Sequence, residues 1–326
     1  MNIYPLKFNP ILKEKVWGGQ KLKHKLGKVT KSNHIGESWE ISGVKGNVSS
    51  VSNGVYKGKS LQELLEHYKH DFVGMHTYKR FGNEFPLLIK YLDAQTNLSV
   101  QVHPDDKMAK HYHDSFGKTE MWYIMDADKD SEIVLGMNET YQLQPDVLHH
   151  VNADNVASVF NKRPVAKGES YFIPAGKVHA IGAGVLAAEI QQTSDVTYRV
   201  YDWDRIDANG NTRELHTDLA VKAIKPSENL INSSFNLEAN DKANLVASEF
   251  FVTNIVAVSE VKTMNYCALD SFVIYMCVEG AVEIQVGDQV SEVLKIGETA
   301  LIPAQAKEVI LKGGGSKVLE VYLDHN

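Results

Sequence analysis

The stretch 168-GESYFIPAGKVH-179 decides the fold that this sequence predicts. It begins with residues that favour a β-strand, continues through a Pro-Ala-Gly turn, and ends on His179 directly after the turn. A later stretch, 297-GETALIPAQAKE-308, repeats the framework Gly-Glu-Ser/Thr-x-x-Ile-Pro-Ala without the final histidine. Repetition of one strand-and-turn unit indicates that the chain contains two copies of a β-domain.

The similarity between the two copies extends towards the N-terminal side of each unit. The segment 120-EMWYIMDADKDSEIVLG-136 aligns without gaps with 271-SFVIYMCVEGAVEIQVG-287. The first copy then carries a longer connection, residues 137–168, in which short stretches have helical character. We therefore expect a short helical insert in the first copy alone.

Most of the remaining sequence predicts short strands that end at Gly, Asn or Asp. Predicted strands lie at residues 85–94, 120–127, 170–176, 272–287 and 317–323. Many short strands at this spacing are typical of a β-sandwich or barrel, so the fold class is mainly β with a few short helices. The polar segment 230–248 has little strand pattern. It predicts a boundary between a first domain, residues 1–235, and a second domain, residues 236–326.

Two helices are predicted in the first copy. The segment 60-SLQELLEHYKHDFVG-74 has an apolar stripe and the capping-box spacing of Ser60 and Glu63. A second short helix is expected to begin near Pro104, with Tyr112 facing the core.

Composition narrows the class of partner and the compartment. The formal charge of -7 and the pI near 6.0 argue against a nucleic-acid partner. We see no secretory signal and no apolar run long enough to span a membrane. Cys267 and Cys277 lie in strand-like apolar sequence and are read as buried free thiols rather than a disulfide. These features favour a cytoplasmic protein.

The spacing G-x5-P-x-G-x2-H at Gly168, Pro174, Gly176 and His179 resembles the second motif of the cupin superfamily. The resemblance implies two jelly-roll β-barrels, with the histidine directed into the mouth of the first barrel. It also implies a first motif, which in cupins normally has two histidines one residue apart and a glutamate on the next strand.

In this chain the positions that match the first cupin motif are Gln101, His103 and Glu120. Alternate residues of a strand face the same side, so Gln101 and His103 point together. With Glu120 and His179 they form a set of two imidazoles, one carboxylate and one amide. This set suits one Zn²⁺ per chain with open positions for substrate. The competing interpretation is that each histidine is only hydrogen-bonded at a strand end.

The second copy lacks this ligand set, so it is predicted to be structural. The ungapped alignment places Ser271 opposite Glu120, Glu308 opposite His179, and Val252 and Asn254 opposite Gln101 and His103.

Beyond the superfamily, the chain resembles type I mannose-6-phosphate isomerases in their short two-cupin form. The matching segments are residues 5–19, 36–42, 85–106, 117–124, 172–184 and 189–205. The resemblance implies a zinc-dependent aldose-ketose isomerase that interconverts mannose 6-phosphate and fructose 6-phosphate through an enediolate. Long members of the family carry a helical insertion that the insert at 137–168 replaces only in part.

The resemblance also implies roles for four further residues. Lys90 and Lys118 line the pocket, and Asp195 and Arg199 follow the last histidine ligand. A phosphate dianion needs fixed positive charge, for which Lys118, Arg199 and Arg205 are candidates. The proton-transfer base stays open between a buried Asp195, a lysine of lowered pKa and a base that acts through water on the metal.

Two other functions fit part of the pattern. Cupins that activate oxygen or decarboxylate acids generally use three histidines and a redox-active metal, and Gln101 argues against that class. A sugar-phosphate-binding bicupin with a structural metal would not turn over its ligand. The expected partner is a small-molecule hexose phosphate, and the sequence is compatible with a monomer or a homodimer.

Overall fold

The structure is a computed structural model that describes residues 1–206, 210–225, 231–232, 237–287 and 290–324. Its regular secondary structure is mainly antiparallel strand with few helices, which confirms the predicted fold class. The strands form two barrels, each built from a larger and a smaller sheet, which we call the first barrel and the second barrel in chain order.

The first barrel contains a large sheet of seven described strands and a small sheet of five. The large sheet, in spatial order, consists of β13 (Ile231–Asn232), β9 (Ser170–Ile173), β6 (Glu120–Ala127), β11 (Val185–Gln192), β4 (Leu87–Ala94), β3 (Ile35–Ile41) and β2 (Ile11–Gly19). The small sheet consists of β12 (Tyr198–Tyr201), β5 (Val100–Val102), β10 (His179–Ile181), β7 (Glu132–Met137) and β8 (Phe160–Pro164).

The second barrel repeats this plan with fewer strands. Its large sheet consists of β1 (Leu6–Lys7), β20 (Thr299–Ile302), β17 (Val273–Glu279), β22 (Ser316–Tyr322), β15 (Val252–Val258) and β14 (Lys242–Ala247). Its small sheet consists of β16 (Val261–Asn265), β21 (Glu308–Gly313), β18 (Ala281–Val286) and β19 (Val290–Lys295). Since β1 comes from the start of the chain, each end of the sequence contributes to this barrel. The division at residue 235 stays a prediction.

The helices are short and lie outside the sheets. They are α1 (Lys21–His24), α2 (Leu61–Tyr68), α3 (His70–Val73), α4 (Met75–Phe81), α5 (Asp106–His113), α6 (Val156–Val159) and α7 (Thr217–Ala223), with 3-10 turns at Glu139–Tyr141 and Pro145–His150. The capping box of Ser60 and Glu63 is present at the start of α2. The predicted helix over 60–74 is broken because Lys69 adopts a positive φ of 50°. Among the described residues, no helix is long and apolar enough to cross a membrane.

The largest apolar cluster lies between the two barrels, where the outer faces of their large sheets pack against each other. It joins residues such as Ile89 and Ile190 of the first barrel to Ile274 and Leu319 of the second. Each barrel also has an apolar interior of its own. The contact between the barrels is therefore a core, and burial of this apolar area stabilises their relative position.

Two expectations from the sequence are wrong. Cys267 is exposed, while Cys277 is buried as expected and both thiols are free. Tyr112 is exposed as well, because the helix that carries it packs mainly through Ala109.

Candidate active site

Three ligand-type side chains meet inside the first barrel. His103 follows β5, Glu120 begins β6 and His179 begins β10. The Nε2 atoms of the two histidines are 3.1 Å apart. The Glu120 oxygens lie 3.4 Å from each of them, Oε2 at His103 and Oε1 at His179. We call these residues the His-Glu-His cluster, and each is at most 1% exposed.

Gln101 adjoins the His-Glu-His cluster because β5 and β10 pair in antiparallel register. That register places Gln101 directly opposite His179, and the two side-chain Nε2 atoms are 3.4 Å apart. The structure therefore brings together the four residues that the cupin resemblance implies as ligands.

Backbone carbonyls fix the orientation of both imidazoles. His103 Nδ1 lies 3.0 Å from the carbonyl oxygen of Val196, and His179 Nδ1 lies 2.8 Å from that of Lys177. A ring nitrogen beside a carbonyl must be the N–H donor, so Nε2 keeps its lone pair. Burial, reinforced by the charge of Lys118, lowers the pKa of His103 to about 3. Burial also lowers the pKa of His179. Both imidazoles are therefore neutral and suited to bind a metal ion.

The Glu120 carboxylate is placed where it could bind a metal cation together with the two imidazoles. Both of its oxygens are buried and neither accepts a hydrogen bond from a described residue. Burial opposes ionisation, but the charge of Lys118 holds the pKa of Glu120 well below its ordinary value. An ionised carboxylate without donors is costly in a protein interior. Two neutral imidazoles and one carboxylate directed at one point fit a divalent transition metal.

An open cleft of about 920 Å³ lies beside the cluster. One wall is formed by Arg80, Phe81 and Glu84 on and after α4, and the opposite wall by α5 and the segments 115–116 and 193–196. The carbonyl of Val196 in this second wall is the one that contacts His103. Val196 therefore connects the lining of the cleft to the cluster.

The sequence is similar to those of known protein families and relatives. Residues 6–143 match the family described as "Phosphomannose isomerase type I, catalytic domain", and residues 241–322 match "Mannose-6-phosphate isomerase, cupin domain". The mannose-6-phosphate isomerase ManA of Bacillus subtilis is 42% identical over 226 residues, which cover 69% of each chain. A second B. subtilis protein, the putative mannose-6-phosphate isomerase YvyI, is 34% identical over 95% of this chain and 96% of its own.

The chain belongs to the type I phosphomannose isomerases. Its structure is similar to the crystal structure of the mannose 6-phosphate isomerase from B. subtilis, with a TM-score of 0.85 and 33% identity over 98% of this chain and 99% of that one. The predicted family, the cupin fold and the enzyme class, an aldose-ketose isomerase, are confirmed.

Lys118 and Lys90 are buried cations close to the His-Glu-His cluster. Lys118 Nζ is 3.4 Å from Glu120 Oε2. Lys90 Nζ is 2.8 Å from Glu189 and 3.8 Å from Glu37. Burial alone would lower the pKa of Lys90, but these two carboxylates raise it well above its ordinary value. Lys90 is therefore a fixed positive charge.

Sequence reasoning passed over Glu189 and Trp122, which connect Lys90 to the cluster. Trp122 Nε1 donates to Glu189 Oε2 at 2.8 Å, and the indole packs edge-on against His179 with ring centroids 5.5 Å apart. Burial raises the pKa of Glu189, and the Glu120 charge raises it further. The only signal in the sequence was that Glu189 begins one of the segments that resemble the family.

Arg199 and Asp195 are placed differently from each other. Arg199 lies opposite Gln101 in the register of β12 and β5, and its Nη1 donates to the carbonyl of Glu214 at 2.7 Å. Burial and the charge of Arg213 lower the pKa of Arg199. Asp195 is exposed in the cleft wall, so it lacks the burial on which a role as base depended.

Two more arginines lie close to Arg199 in the sequence or the fold. Arg205 Nη2 donates to Asp202 Oδ1 at 2.8 Å, and Arg213 Nε donates to Asp202 Oδ2 at 2.7 Å. One buried carboxylate thus orients two guanidinium groups. Arg213 carried no signal in the sequence, since it reaches Asp202 only through the return of the chain after β12.

The second barrel has no equivalent of the cluster among its described residues, but the ungapped alignment placed the counterparts wrongly. Glu120 pairs with Ile173 in the first barrel, and Val273 pairs with Ile302 in the second. Val273, two residues beyond Ser271, is therefore the counterpart of Glu120.

The counterpart of Gln101 was also misplaced. Gln101 faces His179 across the small sheet, and in the second barrel Asn265 faces Glu308 in the same way. Val252 and Asn254 lie instead in β15 of the large sheet. An ungapped offset fails here because the first barrel inserts α5 between its β5 and β6.

Proposed function

We propose that this chain interconverts D-mannose 6-phosphate and D-fructose 6-phosphate through an enediolate, with zinc held by the His-Glu-His cluster and Gln101. The observation that carries the proposal is the buried Glu120 carboxylate, whose two oxygens lack hydrogen-bond donors between two neutral imidazoles. The names of the B. subtilis relatives supply the substrate.

Zinc at this position would supply a Lewis acid that favours negative charge on a substrate oxygen. The chain provides two nitrogen ligands, one carboxylate and the Gln101 amide. Two histidines and a glutamate are a ligand combination of catalytic zinc sites, whereas closed structural sites mostly use cysteines. The carbonyls of Val196 and Lys177 keep the imidazoles in the metal-binding orientation.

Isomerisation needs a group that removes a proton from one carbon and returns it to its neighbour. Lys90 is unsuited, since its partners keep it protonated. We propose that Glu189 is this base. Its carboxylate is 4% exposed, and Trp122 lies between it and His179, in contact with both. Burial raises its pKa towards the range that a base needs at neutral pH.

Positive charge in the site would stabilise the enediolate and bind the phosphate. Lys118 is buried beside Glu120, which places an ammonium group next to the reacting atoms. Arg199, opposite Gln101, has a buried Nε that donates to no described residue. With Arg205 it offers planar guanidinium groups suited to a phosphate dianion. We infer that the cleft beside the cluster admits the substrate.

The test is a coupled assay of the conversion of mannose 6-phosphate to fructose 6-phosphate, on protein as purified, after chelation and after addition of zinc. Chelation should lower kcat by about 100-fold or more, and zinc should restore it. Turnover that survives complete removal of metal would contradict the role of zinc. Binding of mannose 6-phosphate to folded, zinc-loaded protein without turnover would instead support a sugar-phosphate-binding bicupin.

A further inference from the structure

Helix α4 forms a wall of the cleft, yet it is held by the second barrel. The Asp270 carboxylate, in the loop before β17, accepts from two backbone amides at the start of α4. Oδ1 accepts from Met75 N and Oδ2 from His76 N, each at 2.8 Å. The His76 ring adds a contact of 2.5 Å from Nδ1 to Oδ2.

The other end of α4 is also attached to the second barrel. Arg80, in its last turn, donates from Nη1 to the carbonyl oxygen of Glu249 at 3.2 Å. Phe81, the next residue, packs edge-on against Phe116 of the opposite wall with ring centroids 5.9 Å apart. A shift of α4 would therefore change both the width of the cleft and the position of a cleft guanidinium.

The first turn of α4 depends on Asp270 because its own N-cap residue has no side chain. Gly74 occupies the N-cap and adopts a φ of 95°. A Cβ atom there would lie 2.3 Å from the carbonyl oxygen of Asp270, so the two segments approach too closely for any other residue. The free amides of a helix start need an acceptor, and a carboxylate there also favours the helix dipole.

Contacts on either side of α4 in the sequence also join this segment to the second barrel. Ala304 N, after β20, donates to the carbonyl of Phe72 in α3 at 2.9 Å, and the rings of Phe85 and Phe272 pack 4.8 Å apart. The second barrel thus supports the whole segment from α3 to the end of the cleft wall.

We propose that Asp270 is a positioning residue for the reaction: from the second barrel, it holds α4 where Arg80 and Phe81 shape the substrate cleft. This inference rests on the proposed function of the cleft. It gives the second barrel a part in substrate binding, while the reacting groups stay in the first barrel.

The test compares Asp270→Ala and Asp270→Asn with Ser60→Ala in the zinc-loaded enzyme. Ser60 caps α2, which does not line the cleft, so its variant loses a helix cap of the same kind. Asp270→Ala should raise KM for mannose 6-phosphate about tenfold and change kcat less than about twofold. Asp270→Asn, which keeps one acceptor oxygen, should give an intermediate KM, and Ser60→Ala a wild-type KM.

Hydrogen exchange of the amides of residues 75–81 supplies a readout that does not depend on turnover. Exchange there should be faster in Asp270→Ala than in wild type and unchanged in Ser60→Ala. A wild-type KM in both Asp270 variants, or wild-type exchange over α4, would overturn the inference. A wild-type enzyme that does not convert mannose 6-phosphate would instead overturn the proposed function. If Asp270→Ala does not fold, Asp270→Asn carries the test.

Discussion

Both barrels place a buried glutamate at the same point of the large sheet, but the side chains around the two carboxylates differ. In the first barrel Glu189 lies between Lys90 and Trp122 on the neighbouring strands. In the second barrel Glu320 lies between Asn254 and Tyr275 in the same arrangement. The framework is shared, so differences between the two sites come from the side chains around the carboxylate.

Around Glu320 both carboxylate oxygens have hydrogen-bond donors. Oε1 accepts from Tyr266 Oη at 2.6 Å, and Oε2 accepts from Asn254 Nδ2 at 2.7 Å and lies 2.6 Å from Lys242 Nζ. Tyr266 also contacts the hydroxyl of Tyr275. Such a closed network holds a barrel interior together and leaves no place for a ligand.

Around Glu189 both oxygens also have partners, but the neighbouring carboxylate of Glu120 accepts no hydrogen bond. Glu189 Oε1 is 2.8 Å from Lys90 Nζ and Oε2 accepts from Trp122, whereas neither Glu120 oxygen accepts a hydrogen bond from a described residue. Incomplete satisfaction of buried polar groups is costly for stability and is typical of functional sites. The comparison therefore separates a barrel arranged for chemistry from one arranged for support.

We expect the largest difference between the barrels when a proposed ligand is removed from the first and its counterpart from the second. His179→Ala should lower kcat/KM by about 1,000-fold or more and reduce bound zinc, because it takes away one of two imidazoles. Glu308→Ala, at the matching position of the second barrel, should leave both unchanged. Kinetics and metal analysis of the purified variants check this. Wild-type zinc content in His179→Ala would contradict the assigned site.

The paired glutamates provide the next test. Glu189→Gln should lower kcat by about 100-fold while zinc stays bound, because the amide cannot accept the proton. Glu320→Gln should leave kcat nearly unchanged but lower the free energy of unfolding by about 3 kcal/mol, since an amide cannot accept all the donors around it. Urea denaturation and the coupled assay measure both quantities. Equal effects of the two variants on kcat would remove the distinction between the barrels.

The smallest effect concerns the cysteines of the second barrel. Gln101 in the first barrel and Asn265 in the second are counterparts. Two residues later the first barrel has His103, which is buried, and the second has Cys267, which is exposed. Cys267 should react with a thiol reagent in the folded enzyme and leave activity intact. Burial raises the pKa of Cys277 to about 12, so it should react only on unfolding. Loss of activity on modification of Cys267 alone would indicate that this part of the second barrel contributes to the reaction.

Local patterns predicted much of the fold because they depend on neighbours in the sequence. The strand predicted at residues 120–127 has those bounds in the structure, and the capping box begins α2 as expected. The clustering of the candidate metal ligands was also predictable, since strand alternation and the Pro-Ala-Gly turn direct Gln101, His103 and His179 to one side.

What the sequence did not predict depends on partners that are distant along the chain. The role of Glu189 follows from strand neighbours that carry Lys90 and Trp122, and the contact of Asp270 with α4 follows from the packing of the barrels. The register of the second barrel was wrong because the inserted α5 changes the spacing between motifs. A single sequence gives periodicity and order, but it does not state which strands become neighbours.

The pairing of β1 with β20 has a consequence for any attempt to separate the barrels. Leu6 and Lys7 close an edge of the second barrel opposite Leu301 and Ala300. A fragment that starts after the first barrel would expose the apolar strand β20, whose unpaired backbone could recruit another chain. Deletion of the first few residues would open the same edge. We therefore expect the protein to unfold in one transition, and fragments divided near residue 235 to aggregate.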